Sequence, residues 1–136
     1  MAMGRRINMK KKLFLIASVL LVLAFAAGCT KNVAVNEEMN GGSVVLEQGQ
    51  TLVLKLTSNP TTGYDWEIVD LNTAILEQVG EVEYKSDSAL IGSGGVNTYT
   101  FKAVGSGNMQ LSLVYHRSWE KDIPPIETYE LDVTVK

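Results

Sequence analysis

Residues 108–115 read NMQLSLVY and residues 129–136 read YELDVTVK. In the first, Met109, Leu111, Leu113 and Tyr115 alternate with Gln110 and Ser112. In the second, Tyr129, Leu131, Val133 and Val135 alternate with Glu130, Asp132, Thr134 and Lys136. Successive side chains leave a strand on opposite sides, so this period-2 pattern describes strands with one dry face and one wet face. A helix would need apolar residues three and four apart. The same period extends outward to Thr51–Leu56 (Leu52, Leu54, Leu56) and Tyr64–Val69 (Tyr64, Trp66, Ile68 against Asp65 and Glu67). It also covers Thr98–Ala103 (Tyr99, Phe101, Ala103 against Thr98, Thr100 and Lys102). Shorter apolar pieces lie at Val44–Glu47 and Glu81–Lys85, and Leu71–Val79 reads as either a short helical turn or an irregular strand. Turn formers separate these runs at Glu47-Gln48-Gly49, Asn59-Pro60, Gly92–Gly95, Gly105-Ser106-Gly107 and Pro124-Pro125. One-sided strands must bury their apolar faces against a second sheet. The expected fold is all-β, an immunoglobulin-like antiparallel β-sandwich of about seven strands, with a small closed barrel as the alternative.

The chain has 136 residues, one domain's worth. Met1–Lys12 is positive, and the apolar run Leu13–Ala27 is interrupted only by Ser18. This fifteen-residue run is too short to span a bilayer but suits the core of a removable signal. Ala26-Ala27-Gly28-Cys29 follows and resembles a bacterial lipobox, in which the cysteine is acylated and the cut falls before it. The expected organisation is a lipoprotein signal peptide at 1–28, a flexible tether at 29–42 after lipidated Cys29, and a folded domain at 43–136. That chain would be exported and anchored to the cell membrane by lipid, at the cell surface or in the periplasm. An uncleaved anchor helix with an incidental Cys is the alternative.

Removing the leader removes five basic and no acidic residues, leaving seven basic against fifteen acidic and a net charge of −8. Such a domain lacks the Lys/Arg needed to displace counterions from nucleic acid. No second cysteine exists, so neither a disulfide nor thiol catalysis within the domain is available. His116 is the only histidine, without a second His or Cys to share a metal. It reads as an interface or solvent residue. Glu37-Glu38 and Glu81/Glu83 read as a solvated tether and an outward strand face. No catalytic set, metal site or cofactor is expected, and monomer is the default state.

In a seven-strand sandwich three connections crowd at one end. Here they are Ser58–Tyr64, Ser86–Val96 and His116–Pro125. In the first, Pro60 fixes its own φ and biases Asn59 toward extended backbone, while Gly63 permits a positive φ. Thr61 and Thr62 between them make a stiff, small, uncharged tip, suited to a narrow cleft at low ordering cost. In the second, Gly92-Ser93-Gly94-Gly95 allows close backbone approach or simply a flexible turn. In the third, Arg117 and Trp119 are residue types enriched at interface hot spots, although Trp119 could instead cap the sandwich end. Three such loops on one rim form a binding surface.

The three motifs together resemble the chagasin family of cysteine-peptidase inhibitors. Asn59-Pro60-Thr61-Thr62-Gly63-Tyr64 is similar to that family's first inhibitory loop, Gly92-Ser93-Gly94-Gly95 to its glycine-rich second motif, and Arg117-Ser118-Trp119 to its third. Ser118 departs from the family's usual proline. The resemblance implies an immunoglobulin-like sandwich that inhibits papain-like cysteine peptidases reversibly and without a covalent bond. It implies that the Asn59–Gly63 loop enters the catalytic cleft, with Gly92–Gly95 and Arg117–Trp119 on either side. The competing expectation is a surface-anchored adhesion or ligand-binding module that uses the same rim. An enzyme is the third reading, and it lacks a credible catalytic set.

Overall fold

The alternating runs become two hydrogen-bonded sheets in the computed structural model, which describes residues 31–136. The expected leader and Cys29 lie outside the described residues. The strands are β1 (Val33–Val35), β2 (Gly42–Leu46), β3 (Thr51–Ser58), β4 (Asp65–Asp70), β5 (Leu76–Gln78), β6 (Glu83–Ser86), β7 (Gly95–Ala103), β8 (Gly107–His116) and β9 (Glu127–Val135). One sheet runs β1-β3-β7, with β5 and β6 sharing the outer edge of β7; the other runs β2-β9-β8-β4. The inward phase read from the sequence is the buried phase. Leu52, Leu54, Leu56, Tyr99 and Phe101 from one sheet meet Trp66, Leu111, Leu113, Tyr129, Leu131 and Val133 from the other. Each fully buried leucine contributes about 1.5–3 kcal/mol of hydrophobic transfer.

Two features correct the sequence reading. The sandwich is mixed, with nine strands among the described residues, because β1 pairs parallel to β3 and β2 pairs parallel to β9. The segment expected as a free tether also joins the fold from Val33 onward. Val35 is buried, Asn36 caps a single 3₁₀ turn at Glu37–Met39, and the Asn36 carbonyl accepts a bond from Tyr129 Oη at 3.1 Å. The Glu37 carboxylate accepts from the Thr57 amide, and Asn40 exchanges bonds of 2.9 Å with Thr128 and Glu130. Val33-Ala34-Val35 is too short to register as alternation, and the polar residues after it bond main chain rather than solvent. The undecided stretch 71–79 is a turn closed on the Asn72 carbonyl, followed by β5. Residues 31–136 contain both sheets and the whole buried cluster, so this segment carries what its folding requires.

Register fixes which loops meet. β3 ends where β7 begins, with Ser58 opposite Gly95, and β4 begins where β8 ends, with Asp65 opposite His116. The three connections 59–64, 87–94 and 117–126 therefore leave the sandwich at one end. The turns at 47–50 and 104–106 close the other.

Candidate functional site: a three-loop rim

The first loop is rigid by construction. Pro60–Thr62 forms one 3₁₀ turn, and Asn59 caps it by accepting from the Thr61 amide at 3.3 Å. Gly63 ends it in the left-handed region at φ 80°, donating to the Pro60 carbonyl at 3.0 Å. The threonine hydroxyls turn inward: Thr61 Oγ1 donates to Asn59 Oδ1 at 2.5 Å and Thr62 Oγ1 to the Asn59 carbonyl at 2.6 Å. Both hydroxyls are braces within the loop. The tip itself, Pro60–Thr62, is exposed.

The second loop is tied to the first through Asn59 Nδ2, which donates to the Gly92 carbonyl at 3.2 Å. Ser93 Oγ lies 3.1 Å from Ser86 Oγ and donates to the Ser88 carbonyl at 3.0 Å, so its hydroxyl also knits the loop. Gly95 serves packing between strands: a Cβ there would lie 2.2 Å from the Lys85 carbonyl oxygen. Beyond these residues the loop projects Leu90 and Ile91, both strongly exposed.

The third loop lies against the first on its opposite side. Arg117 Nε donates to the Thr62 carbonyl at 3.1 Å, and the guanidinium sits 4.3 Å over the Tyr64 ring. Its Nη1 pairs with Glu120 at 3.0 Å, and this bond raises the Arg117 pKa further above its ordinary value. The Trp119 indole lies on Gly63, whose hypothetical Cβ would fall 2.4 Å from its ring, yet it remains 64% exposed. Asp122 holds a positive φ of 68°, a conformation aspartate tolerates and one that gives the loop a defined bend. His116 lies 2.5 Å from Glu67, partly exposed, beside the arm. The structure thus brings all thirteen expected binding residues, from Asn59 to Trp119, to one edge.

A layer of side-chain bonds beneath this edge was missed in the sequence. Asp65 Oδ1 accepts from Asn97 Nδ2 at 2.8 Å, from the Trp66 amide at 2.9 Å and from Ser58 Oγ at 3.5 Å. Trp66 Nε1 donates to the Thr57 carbonyl at 2.9 Å, and Tyr99 Oη to the Trp66 carbonyl at 3.2 Å. Tyr115 Oη accepts from the Asn59 amide at 3.0 Å. Apart from the Asp65–Trp66 bond within β4, each of these joins one sheet to the other, or a sheet to the first loop. Burial pushes the Tyr99 hydroxyl up to about 12, against the pull of Asn97 and with the help of the Asp65 charge. The signal was in the register: Ser58 and Asn97 occupy inward positions of otherwise apolar strands, each next to a loop. Among the described residues no three His, Cys, Asp or Glu side chains group as a metal would require.

The rim is thus an uncharged tip between two braced arms, with apolar side chains held outward. The sequence pattern described as chagasin family peptidase inhibitor I42 matches residues 45–133, and the chain belongs to that family. Its members are inhibitors of peptidases, not enzymes. Chagasin from Trypanosoma cruzi is 30% identical over 89 residues, covering 62% of this chain and 81% of that protein. The crystal structure of a cysteine protease inhibitor from Entamoeba histolytica superposes with a TM-score of 0.69 at 20% identity, over 77% of this chain and 95% of that one. The structure of PbICP-C in complex with falcipain-2 gives a TM-score of 0.52 at 18% identity, over 79% and 91%. These two establish likeness of fold.

Proposed function

We propose that this protein is a reversible, non-covalent inhibitor of papain-like cysteine peptidases that fills the active-site cleft with its three-loop rim. The observation that carries this reading is the bracing of the Asn59–Gly63 loop from both sides. Its threonine hydroxyls and the Asn59 side chain are bonded within the rim, so the tip reaches a partner already ordered and loses little entropy on binding. A 3₁₀ turn offers no extended scissile bond, so it can occupy a cleft without being cut. Exposed Leu90 and Ile91 on one flank and Trp119 on the other supply apolar area beside the tip. Membership of the chagasin family of peptidase inhibitors supports a peptidase target, and two proteins of like fold are a cysteine protease inhibitor and a protein solved in complex with falcipain-2.

The test is to titrate residues 31–136 into papain and follow residual activity. Stoichiometric loss is the expected result. Full activity at micromolar excess would favour an adhesion or ligand-binding module instead.

The same reading includes an anchor: Cys29 carries lipid after removal of residues 1–28, and the exported domain stays on the membrane. Support comes from the lipobox-like Ala26–Cys29 and from the location of β1. Val33 pairs with Leu52, at the end of β3 remote from the rim. Three residues lie between Cys29 and Val33, so the chain reaches at most about 14 Å from one to the other. A lipid on Cys29 would therefore hold the far end toward the bilayer and turn the rim outward. Labelling with a fatty-acid probe that disappears in Cys29→Ser is the expected result, and labelling retained by that variant would remove the anchor from the reading.

A further inference from the structure

Arg117 stands on the binding edge, yet its guanidinium is already occupied. It donates to the Thr62 carbonyl, pairs with Glu120 and covers the Tyr64 ring. Glu120 closes the same unit from its other end. Its amide donates to the Arg117 carbonyl at 3.1 Å, making a four-residue turn with Ser118 and Trp119 at the centre. The Arg117–Glu120 pair is partly covered, with side-chain exposures of 33% and 24%. Trp119, by contrast, projects from the turn with one part of its ring on Gly63.

Ser118 occupies the second turn position, where a proline would fix φ. Serine leaves that torsion free, so the restraint on the arm comes from elsewhere. We propose that Glu120 is a positioning residue for inhibition: by clamping Arg117 it holds the 117–120 turn against the Asn59–Gly63 loop and presents Trp119 ready for the peptidase. This rests on the inhibitor reading above. Arg117 is then a brace between two loops, and Trp119 is the contact. A charged brace suits the position because Arg117 has a carbonyl, a carboxylate and an aromatic face to satisfy at once, and its planar fork meets all three.

The experiment combines two substitutions in residues 31–136. Glu120→Ala is expected to raise the inhibition constant for papain about three- to fivefold, the scale of a partly exposed charge-assisted bond, with Tm nearly unchanged. Adding Ser118→Pro to Glu120→Ala is expected to bring the constant back to within about twofold of the parent, because proline supplies the lost restraint covalently. Glu120→Gln, which keeps an acceptor without charge, falls between. Nitrogen relaxation of the Trp119 indole in the free protein reads the arm directly: its order falls in Glu120→Ala and returns in the double variant. Unchanged inhibition and unchanged indole order in Glu120→Ala would overturn the proposal. So would a loss of inhibition with the indole still ordered, which would make Glu120 a direct contact. If the parent does not inhibit papain, the functional reading fails, and the indole measurement alone still decides whether Glu120 restrains the arm.

Discussion

The two ends of this sandwich are closed by different chemistry. At the end remote from the rim the main chain does most of the work. Gly49 donates to the Ala103 carbonyl at 2.8 Å, Gln48 to Lys136 at 3.1 Å, Lys136 to Leu46 at 2.9 Å, and Val104 to Ile75 at 2.9 Å. Leu46, Ala103 and Val135 are buried behind those turns. At the rim main-chain bonds close each turn by itself, and the groups that tie one loop to another or to the sheets are side chains: Asn59, Asp65, Asn97, Tyr115 and Arg117, the last clamped by Glu120. Main-chain turns seal an end economically but leave little to present. Side-chain braces fix loops while Pro60–Thr62, Leu90, Ile91 and Trp119 stay exposed. The difference separates an end built for stability from an end built for recognition.

That separation has measurable consequences. The largest belongs to the tip. Thr61→Arg combined with Thr62→Glu removes both inward hydroxyls and puts bulk and charge on a surface fitted to a cleft. Inhibition of papain is expected to weaken by more than about 100-fold, while Tm shifts by only a few degrees because the tip is exposed. Inhibition that survives this change would show that another part of the molecule carries it.

A smaller loss is expected from Trp119→Ala: about 2 kcal/mol of binding, or roughly 30-fold, with stability almost unaltered. A fall in Tm without a fall in affinity would mean that the indole packs the end instead of meeting a partner. The smallest effect on inhibition belongs to the opposite end. A Cβ at Gly105 would lie 2.2 Å from the Ala74 carbonyl oxygen, so main chain must move to admit it. Gly105→Ala is expected to cost about 1–3 kcal/mol of stability and to leave the inhibition constant within about twofold at temperatures where the domain stays folded. A parallel loss of inhibition would show that the two ends are coupled.

The sequence made the core legible because burial follows period 2 without interruption. Leu52 to Leu56, Tyr99 to Ala103 and Tyr129 to Val135 all face inward as their phase requires. The rim was legible too, since proline, glycine and tryptophan mark loops by their own stereochemistry. Two things were not. The pairing of Val33–Val35 depends on an edge of β3 that only the assembled sheet offers, and three residues carry no period of their own. The bonds from Asp65 to Asn97 and Ser58 join residues up to 32 positions apart, a proximity fixed by register between sheets and not by local pattern. Ser58 and Asn97 could have been noticed as polar residues in inward phase; their shared partner could not.

Hydrogen exchange of residues 31–136, free and bound to papain whose catalytic cysteine is blocked, tests the division of the molecule most directly. New protection confined to amides within 59–64, 90–95 and 117–123, with 46–50 and 104–107 unchanged, is the expected result. Protection gathered at 46–50 and 104–107, or spread over the outer faces of the sheets with the three loops untouched, would contradict it.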